Sequence, residues 1–150
     1  MARVFVDVSI VSQDWFKARV LTELVQNRAV RFTYSKFGKL AEEHENAKRF
    51  GLLMKRLSDQ GRTDNVSAES SDVHVEKLTS LKNWQDEGAC DDPHIFALIY
   101  EKPTKYVFSA DQRIARCRDC INKVVENRYC DFILITREAT YIEHKQNILK

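Results

Sequence analysis

The sequence has little proline, glycine or cysteine and no long apolar segment. Its 150 residues include two prolines, four glycines and four cysteines, which excludes collagen-like chains, low-complexity chains and disulfide-stapled miniproteins. The longest apolar run, Ile95 to Tyr100, is far shorter than the stretch of about 20 residues that spans a membrane. No apolar stretch with a cleavage site precedes Asp7, so we expect no secretory signal. These absences predict a single cytoplasmic domain over residues 1–150, with free thiols and no membrane contact.

Neither sign of charge dominates, and the familiar cofactor and triad motifs are missing. Lys and Arg number 24 and Asp and Glu number 22, a net charge of +2, so any nucleic-acid binding must depend on local patches. The chain has no G-x-S-x-G, P-loop, H-E-x-x-H or G-x-G-x-x-G motif, which argues against triad hydrolases and nucleotide-cofactor enzymes. Cys117 and Cys120 have C-x-x-C spacing but no second close pair, which favours free thiols over a zinc site.

What the chain does contain is an alternation of strand and helix patterns. Strands are predicted at Val4–Val8, Ala29–Tyr34, Lys105–Ser109 and Asp131–Thr136. Helices are predicted at Gln13–Asn27, Ser35–Leu57, Val75–Trp84, Asp92–Ile99 and Asp111–Asn127. A last, polar helix is predicted from the end of the Asp131–Thr136 strand to Lys150. The polar segment at about 58–72 predicts a mobile loop that would carry partner or substrate contacts. The alternation predicts a parallel α/β sheet whose ligand site lies beyond the carboxyl ends of the strands.

Three aspartates stand at corresponding places in this pattern. Asp7 is late in the first strand, Asp92 begins a helix, and Asp111 follows the strand that ends at Ser109. Carboxylates gathered at one edge repel each other unless a divalent cation neutralises them, and Mg²⁺ or Mn²⁺ suits oxygen ligands. Such an ion activates water for phosphodiester hydrolysis. Asp92 and Asp111 are equally suited to cap their own helices, whereas Asp7 has no such simple structural role.

Three segments together resemble the acidic motifs of PIN-domain nucleases, in the same order over the whole chain. They are Val4-Phe-Val-Asp7, Asp92-Pro-His-Ile-Phe-Ala97 and Val107-Phe-Ser-Ala-Asp111. The resemblance implies a three-layer α/β/α sandwich with a central, mostly parallel five-stranded sheet. It implies an endoribonuclease that cleaves single-stranded RNA with Mg²⁺ or Mn²⁺. It further implies a bacterial toxin with a cognate antitoxin or other regulatory protein, or a phage-defence effector, and it allows a homodimer.

The resemblance also assigns site residues. The implied catalytic residues are Asp7, Glu42, Asp92 and Asp111. The implied metal ligands are Asp7, Asp92, Asp111 and Glu43, and Glu42, Glu43 and Glu45 remain alternatives for the helix glutamate. Ser9, Ser109 and Asp91 are expected to support these acids. Ser9 departs from the asparagine that is common at this place in the family, and it can donate only one hydrogen bond.

Cationic and aromatic side chains supply the expected RNA contacts. Arg113, Arg116 and Lys36 are expected to pair with RNA phosphates, together with the cations that follow in the same helical segment; a solvated helix face is the alternative. Tyr34, Tyr106 and Trp84 would stack on bases if they are exposed, although core packing is the better interpretation of Trp84. A different class of function is also open: a catalytically weak PIN-like module that binds RNA or protein within a larger complex.

Overall fold

The fold is built on five short parallel strands. The computed structural model describes residues 1–35, 38–66, 75–80, 92–124 and 131–150. The strands are β1 (Ala2–Val6), β2 (Val30–Ser35), β3 (Thr63–Val66), β4 (Tyr106–Phe108) and β5 (Ile133–Ile135). They form one sheet in the order β3-β2-β1-β4-β5, and every pairing is parallel. β1 therefore lies at the centre, and the direction of strand addition reverses between β1 and β4.

Helices cover both faces of this sheet. They are α1 (Val8–Val11), α2 (Leu21–Gln26), α3 (Gly38–Asn46), α4 (Lys48–Asp59), α5 (Pro93–Glu101), α6 (Arg113–Val124) and α7 (Glu138–Ile148). A π-helical stretch, Phe16–Val20, runs directly into α2, and residues 75–79 form a further helical segment. The predicted three-layer α/β/α sandwich around a parallel five-stranded sheet is confirmed.

Each face of the sheet carries its own hydrophobic core. Val4 and Val6 of β1 pack in one core with residues of α2, α4 and α7, whereas Phe5 packs in the other with residues of α5 and α6. All three side chains are buried. A strand covered on both faces has to be apolar throughout, and burial of each such side chain contributes about 1.5–3 kcal/mol. Asp7 is the first polar residue that follows this buried run.

The prediction of a loop at about 58–72 is wrong for residues 58–59 and 63–66, whereas residues 60–62 form a short turn connection. Helix α4 extends to Asp59, and Thr63–Val66 form the edge strand β3, which pairs with β2. The sequence does not predict this strand because three of its four residues, Thr63, Asp64 and Asn65, are polar. Only Thr63 and Val66 of this strand are buried, and an edge strand accommodates charged residues without loss of pairing. Residues 67–72 lie outside the described part of the chain.

The helix predicted over Ser35–Leu57 is two helices, α3 and α4, which meet at Ala47. Ala47 has φ −83° and ψ 34°, outside the helical region. The two helices pack closely at Gly51. A Cβ placed on this residue would lie only 2.6 Å from the backbone oxygen of His44. The absence of a side chain at Gly51 therefore permits the α3–α4 contact.

The cysteines differ from their predicted state. Cys117 is disulfide-bonded, whereas Cys120 is a buried free thiol. The prediction of free thiols is therefore wrong for Cys117 and confirmed for Cys120, and Cys90 and Cys130 lie outside the described residues.

None of the helices in the described ranges combines the length and the apolar character needed to cross a membrane.

Candidate active site

Asp7 lies at the carboxyl end of β1, where strand addition reverses. Its backbone N–H donates to the Phe108 carbonyl at 2.8 Å, which extends the β1–β4 pairing by one residue. The residue is only 9% exposed, and no other aspartate or glutamate of the described residues is buried to this degree. Asp7 occupies the N-cap position of α1, yet its side chain makes no capping hydrogen bond. Helix capping therefore does not explain this carboxylate.

Two serine hydroxyls hold the Asp7 carboxylate. Ser9 Oγ donates to Asp7 Oδ2 at 2.5 Å, and Ser109 Oγ donates to the same oxygen at 2.7 Å. Each serine oxygen also accepts a backbone hydrogen bond, which fixes its position. Ser9 Oγ accepts from the Ala110 N–H and Ser109 Oγ accepts from the Asp111 N–H, both at 3.1 Å. An ionised carboxylate only accepts hydrogen bonds, so both hydroxyl protons point at Asp7. The second oxygen, Oδ1, accepts no hydrogen bond from the described residues.

Asp7 differs from Asp64 and Glu23 in having no cationic partner among the described residues. Asp64 contacts Arg3 and Arg31, each at 2.7 Å, and Glu23 contacts Lys145 at 2.8 Å. No Lys or Arg of the described residues pairs with Asp7. Burial of a carboxylate without a counter-charge is costly. Among the described residues, the negative charge of Asp7 therefore has no compensating cation, and a bound cation would balance it.

Asp111 lies at the same edge, one strand away, but its carboxylate is engaged by Arg113. Its Oδ1 accepts from the backbone N–H and from Nε of Arg113, both at 3.0 Å, and its Oδ2 accepts from Arg113 Nη2 at 2.9 Å. These hydrogen bonds lower the pKa of Asp111. The Arg113 side chain is 56% exposed, and an ion pair at the surface contributes about 1 kcal/mol or less. The pair can therefore open at small cost.

The remaining predicted acids are dispersed. Asp92 caps α5 by accepting from the His94 N–H at 3.2 Å, while Glu42 is exposed and Glu43 is half-buried on α3. Over the described ranges, no three His, Cys, Asp or Glu side chains form a group that could hold a metal ion. The expected grouping of Asp7, Asp92, Asp111 and Glu43 is therefore corrected. The physical reason is local: Asp92 and Asp111 each turn toward the first amides of their own helix.

The predicted RNA-contacting residues have mixed outcomes. Arg113 is paired with Asp111 as described, and Arg116 is exposed on α6. Tyr34 and Tyr106 are buried, so neither presents an open face for a base. Lys36, Asp91 and Trp84 lie outside the described residues.

The donor types suit a hard divalent cation even though three ligands are not gathered. Carboxylate oxygens are the ligands that Mg²⁺ and Mn²⁺ prefer, and Mg²⁺ commonly needs only one or two protein carboxylates because it keeps several waters. Asp7 offers one such oxygen and lacks a protein counter-charge. Asp111 offers a second when Arg113 moves away. The chemistry of the donors fits Mg²⁺ or Mn²⁺ at this edge.

His44 is a residue of this region that the sequence did not reveal. Its ring stacks on Tyr34 at 5.5 Å between centroids and 7° between planes, and it meets Phe50 edge-on at 5.2 Å. Burial lowers the pKa of His44, against a smaller opposing effect of the negative charge of Asp7. The neutral ring thus anchors α3 beside β1 and β2. The available signal was the position of His44 on the apolar side of a predicted helix.

No family model, curated protein or solved structure matches this chain. The likeness to PIN-domain nucleases therefore rests on the three acidic segments.

Proposed function

We propose that the chain is a metal-dependent endoribonuclease of the PIN-domain type that cleaves single-stranded RNA. The observation that carries the proposal is the environment of Asp7. A buried carboxylate at the point of strand reversal is held by two hydroxyls, and among the described residues it has no cationic partner and no hydrogen bond to Oδ1. In parallel α/β sheets, this position is where ligands bind.

In this proposal, Asp7 would hold Mg²⁺ or Mn²⁺ through Oδ1, and Asp111 would supply a second carboxylate once Arg113 moves away. When bound, the ion lowers the pKa of a water molecule and offsets charge that develops at phosphorus. Ser9 and Ser109 orient Asp7 by their hydrogen bonds to Oδ2. Arg113 leaves Asp111 and pairs with an RNA phosphate, as guanidinium groups do readily.

The biological role follows from the same resemblance. We assign the protein to the cytoplasm, as a toxin restrained by an antitoxin or other regulatory protein or as a phage-defence effector. This part of the proposal rests on fold and motif analogy.

A second candidate is a PIN-like module that binds RNA or protein without efficient cleavage. The observation that favours it is the bidentate contact of Arg113 with both oxygens of Asp111, together with the lack of a three-ligand group among the described residues. The two candidates differ in whether metal and RNA produce cleavage.

Cleavage of a labelled single-stranded RNA in Mn²⁺ distinguishes these candidates. We expect Asp7→Asn to lower the cleavage rate by about a hundredfold or more, because it removes a metal ligand and its charge. Asp14→Asn is the matched control, since the Asp14 side chain is 96% exposed, and it should cleave like the wild type. Equal cleavage by Asp7→Asn would sink the nuclease proposal, and RNA binding without cleavage by the wild type would support the binding module.

Metal binding has its own readout, independent of RNA. A ligand that binds only the folded state at about one hundred times its Kd stabilises by about 2.7 kcal/mol. This corresponds to a rise of several degrees in Tm for a chain of this size. We expect Mn²⁺ to raise the Tm of the wild type and of Asp14→Asn, with reversal by EDTA, and to leave Asp7→Asn unchanged.

A further inference from the structure

A cavity lined in part by charged side chains lies at the amino ends of the strands, on the edge opposite to Asp7. It has a volume of about 360 Å³, and the lining residues that matter here are Arg3, Arg31, Pro103, Lys105, Tyr106 and Asn147. We refer to it as the N-edge cavity. Arg3 and Asp7 are separated by four strand residues, about 13 Å. The N-edge cavity is therefore distinct from the candidate active site.

The N-edge cavity is cationic. Arg3 of β1 and Arg31 of β2 are register partners, so two like charges lie side by side, and Lys105 adds a third. Asp64 contacts both arginines from β3, which leaves an excess of two positive charges. Within the described chain, no aspartate or glutamate lines the cavity itself.

Some donors of the N-edge cavity are already used and others are not. The Arg31 guanidinium donates hydrogen bonds to the Asp64 carboxylate and to the carbonyls of Gly61 and Thr63. Arg3 donates from Nε to Asp64 and from Nη1 to the Pro103 carbonyl, and its Nη2 meets no acceptor among the described residues. Lys105 is exposed and forms no ion pair within them. Nη2 of Arg3 and the ammonium of Lys105 are therefore available to a ligand.

We propose that the N-edge cavity binds a phosphate group. A phosphate carries up to two negative charges and several acceptor oxygens, which match the charge excess and the separate donors of Arg3, Lys105 and the Asn147 amide. A carboxylate would neutralise only one of the two charges. The phosphate belongs either to a free phosphate or nucleotide or to the backbone of a single-stranded nucleic acid. Binding needs neither Asp7 nor a metal, so it is independent of the proposed nuclease activity.

Titration with inorganic phosphate, followed by ¹⁵N–¹H NMR in EDTA, locates the site. At constant ionic strength, we expect saturable shifts of the amides around Arg3, Arg31, Lys105 and Asn147 and unchanged amides around Asp7 and Ser109. Chloride at equal ionic strength should produce no such shifts. Absence of saturable shifts at phosphate concentrations up to roughly 10 mM, or shifts centred on Asp7, would overturn the proposal.

A charge-neutral variant tests the donor. Lys105→Gln should weaken phosphate binding about tenfold, since one charge-assisted hydrogen bond is lost. We expect this variant to fold normally, because the Lys105 side chain is exposed and forms no ion pair among the described residues. Lys55→Gln is the matched control, because it removes the same charge from a different cavity, one lined by Tyr34 and Leu52, and it should bind like the wild type. Unaltered affinity of Lys105→Gln contradicts the proposal.

Two further ligands identify the source of the phosphate. Pyrophosphate represents free phosphates, and a single-stranded DNA decamer without terminal phosphates represents a polymer backbone. Loss of binding of either one in Lys105→Gln supports the site and names the source. For the decamer, the slope of log affinity against log salt should fall by about one in this variant. Phosphate binding that persists in Asp7→Asn separates this result from any failure of the nuclease proposal.

Discussion

Ser109 connects two acids that are far apart in the sequence. It is fully buried, donates to Asp7 Oδ2 at 2.7 Å and accepts from the Asp111 N–H at 3.1 Å. Its hydroxyl thus satisfies a carboxylate after β1 and an amide after β4 at once. The orientation of Asp7 depends on this one side chain and on Ser9.

Ser109→Ala should lower the free energy of unfolding by about 1.5–3 kcal/mol. The variant removes a hydrogen bond to a charged group and leaves the Asp111 amide without its acceptor. Urea denaturation measures the change. Ser80→Ala serves as the control, because the exposed Ser80 hydroxyl contacts only the Glu76 carbonyl among the described residues, and it should cost little. Equal losses in the two variants would contradict the role given to Ser109.

The sequence was informative about some of these residues and silent about others. Asp7 was distinctive because a lone acid follows a run of β-forming apolar residues. The sequence predicts an RNA contact at Arg113, although its place two residues after a helix-capping Asp111 equally indicates a local ion pair. The sequence pattern does not single out Lys105 or Asp64 as site residues. The cavity and the ion pairs to which they contribute form only when strands distant in the sequence come together.

The α3–α4 junction is an element whose geometry depends on one missing side chain. The helices are separate because the backbone departs from helical angles at Ala47. They pack closely because Gly51 faces the His44 carbonyl. His44 in turn packs on Phe5, Tyr34 and Phe50, so the junction places α3 against the sheet.

Gly51→Ala should destabilise the protein by about 1–2 kcal/mol. Replacing a helical glycine by alanine usually stabilises a protein by about 1 kcal/mol. Here the new Cβ would lie 2.6 Å from the His44 backbone oxygen. Overpacking of this kind costs about 1–3 kcal/mol, which outweighs the gain. Thermal or urea unfolding gives the sign. Leu52→Ala, at a position that is 66% exposed in the same helix, should change stability little. A stabilised Gly51→Ala protein would refute the close contact.

At the level of elements, strong patterns were readable and weak ones were not. β1 was predicted because burial on both faces requires an unbroken apolar run. β3 was hidden because an edge strand can consist largely of polar residues. The break at Ala47 was hidden because alanine favours helix, and the turn there is enforced by packing of two helices on the sheet.

For the whole molecule, Asp64 joins three strands at the amino edge of the sheet. Hydrogen bonds from Arg31, supported by Arg3, lower the pKa of Asp64 to about 2. In the unfolded chain an aspartate has a pKa of about 3.9. The stabilisation is therefore fully present above about pH 4 and is lost as the pH falls toward 2.

Asp64→Asn should lower the free energy of unfolding at pH 7 by about 1–2 kcal/mol, after allowance for solvent screening. The difference from the wild type should shrink between pH 4 and pH 2, where the wild-type carboxylate itself becomes protonated. Urea denaturation across this range measures it. Asp14→Asn should show no such trend, since Asp14 is exposed. A difference that stays constant with pH would exclude the ion pairs as its cause.

The central position of β1 has a consequence for the order in which the protein is made. β1 leaves the ribosome first, yet Ser109, which completes the surroundings of Asp7, lies 102 residues later. The core that covers β1 also requires Tyr141 and Ile148 of α7. During translation the nascent chain therefore carries an unfinished sheet, and pairing over such separations is slow. Asp7 acquires Ser109 as a neighbour only after the chain through β4 has emerged.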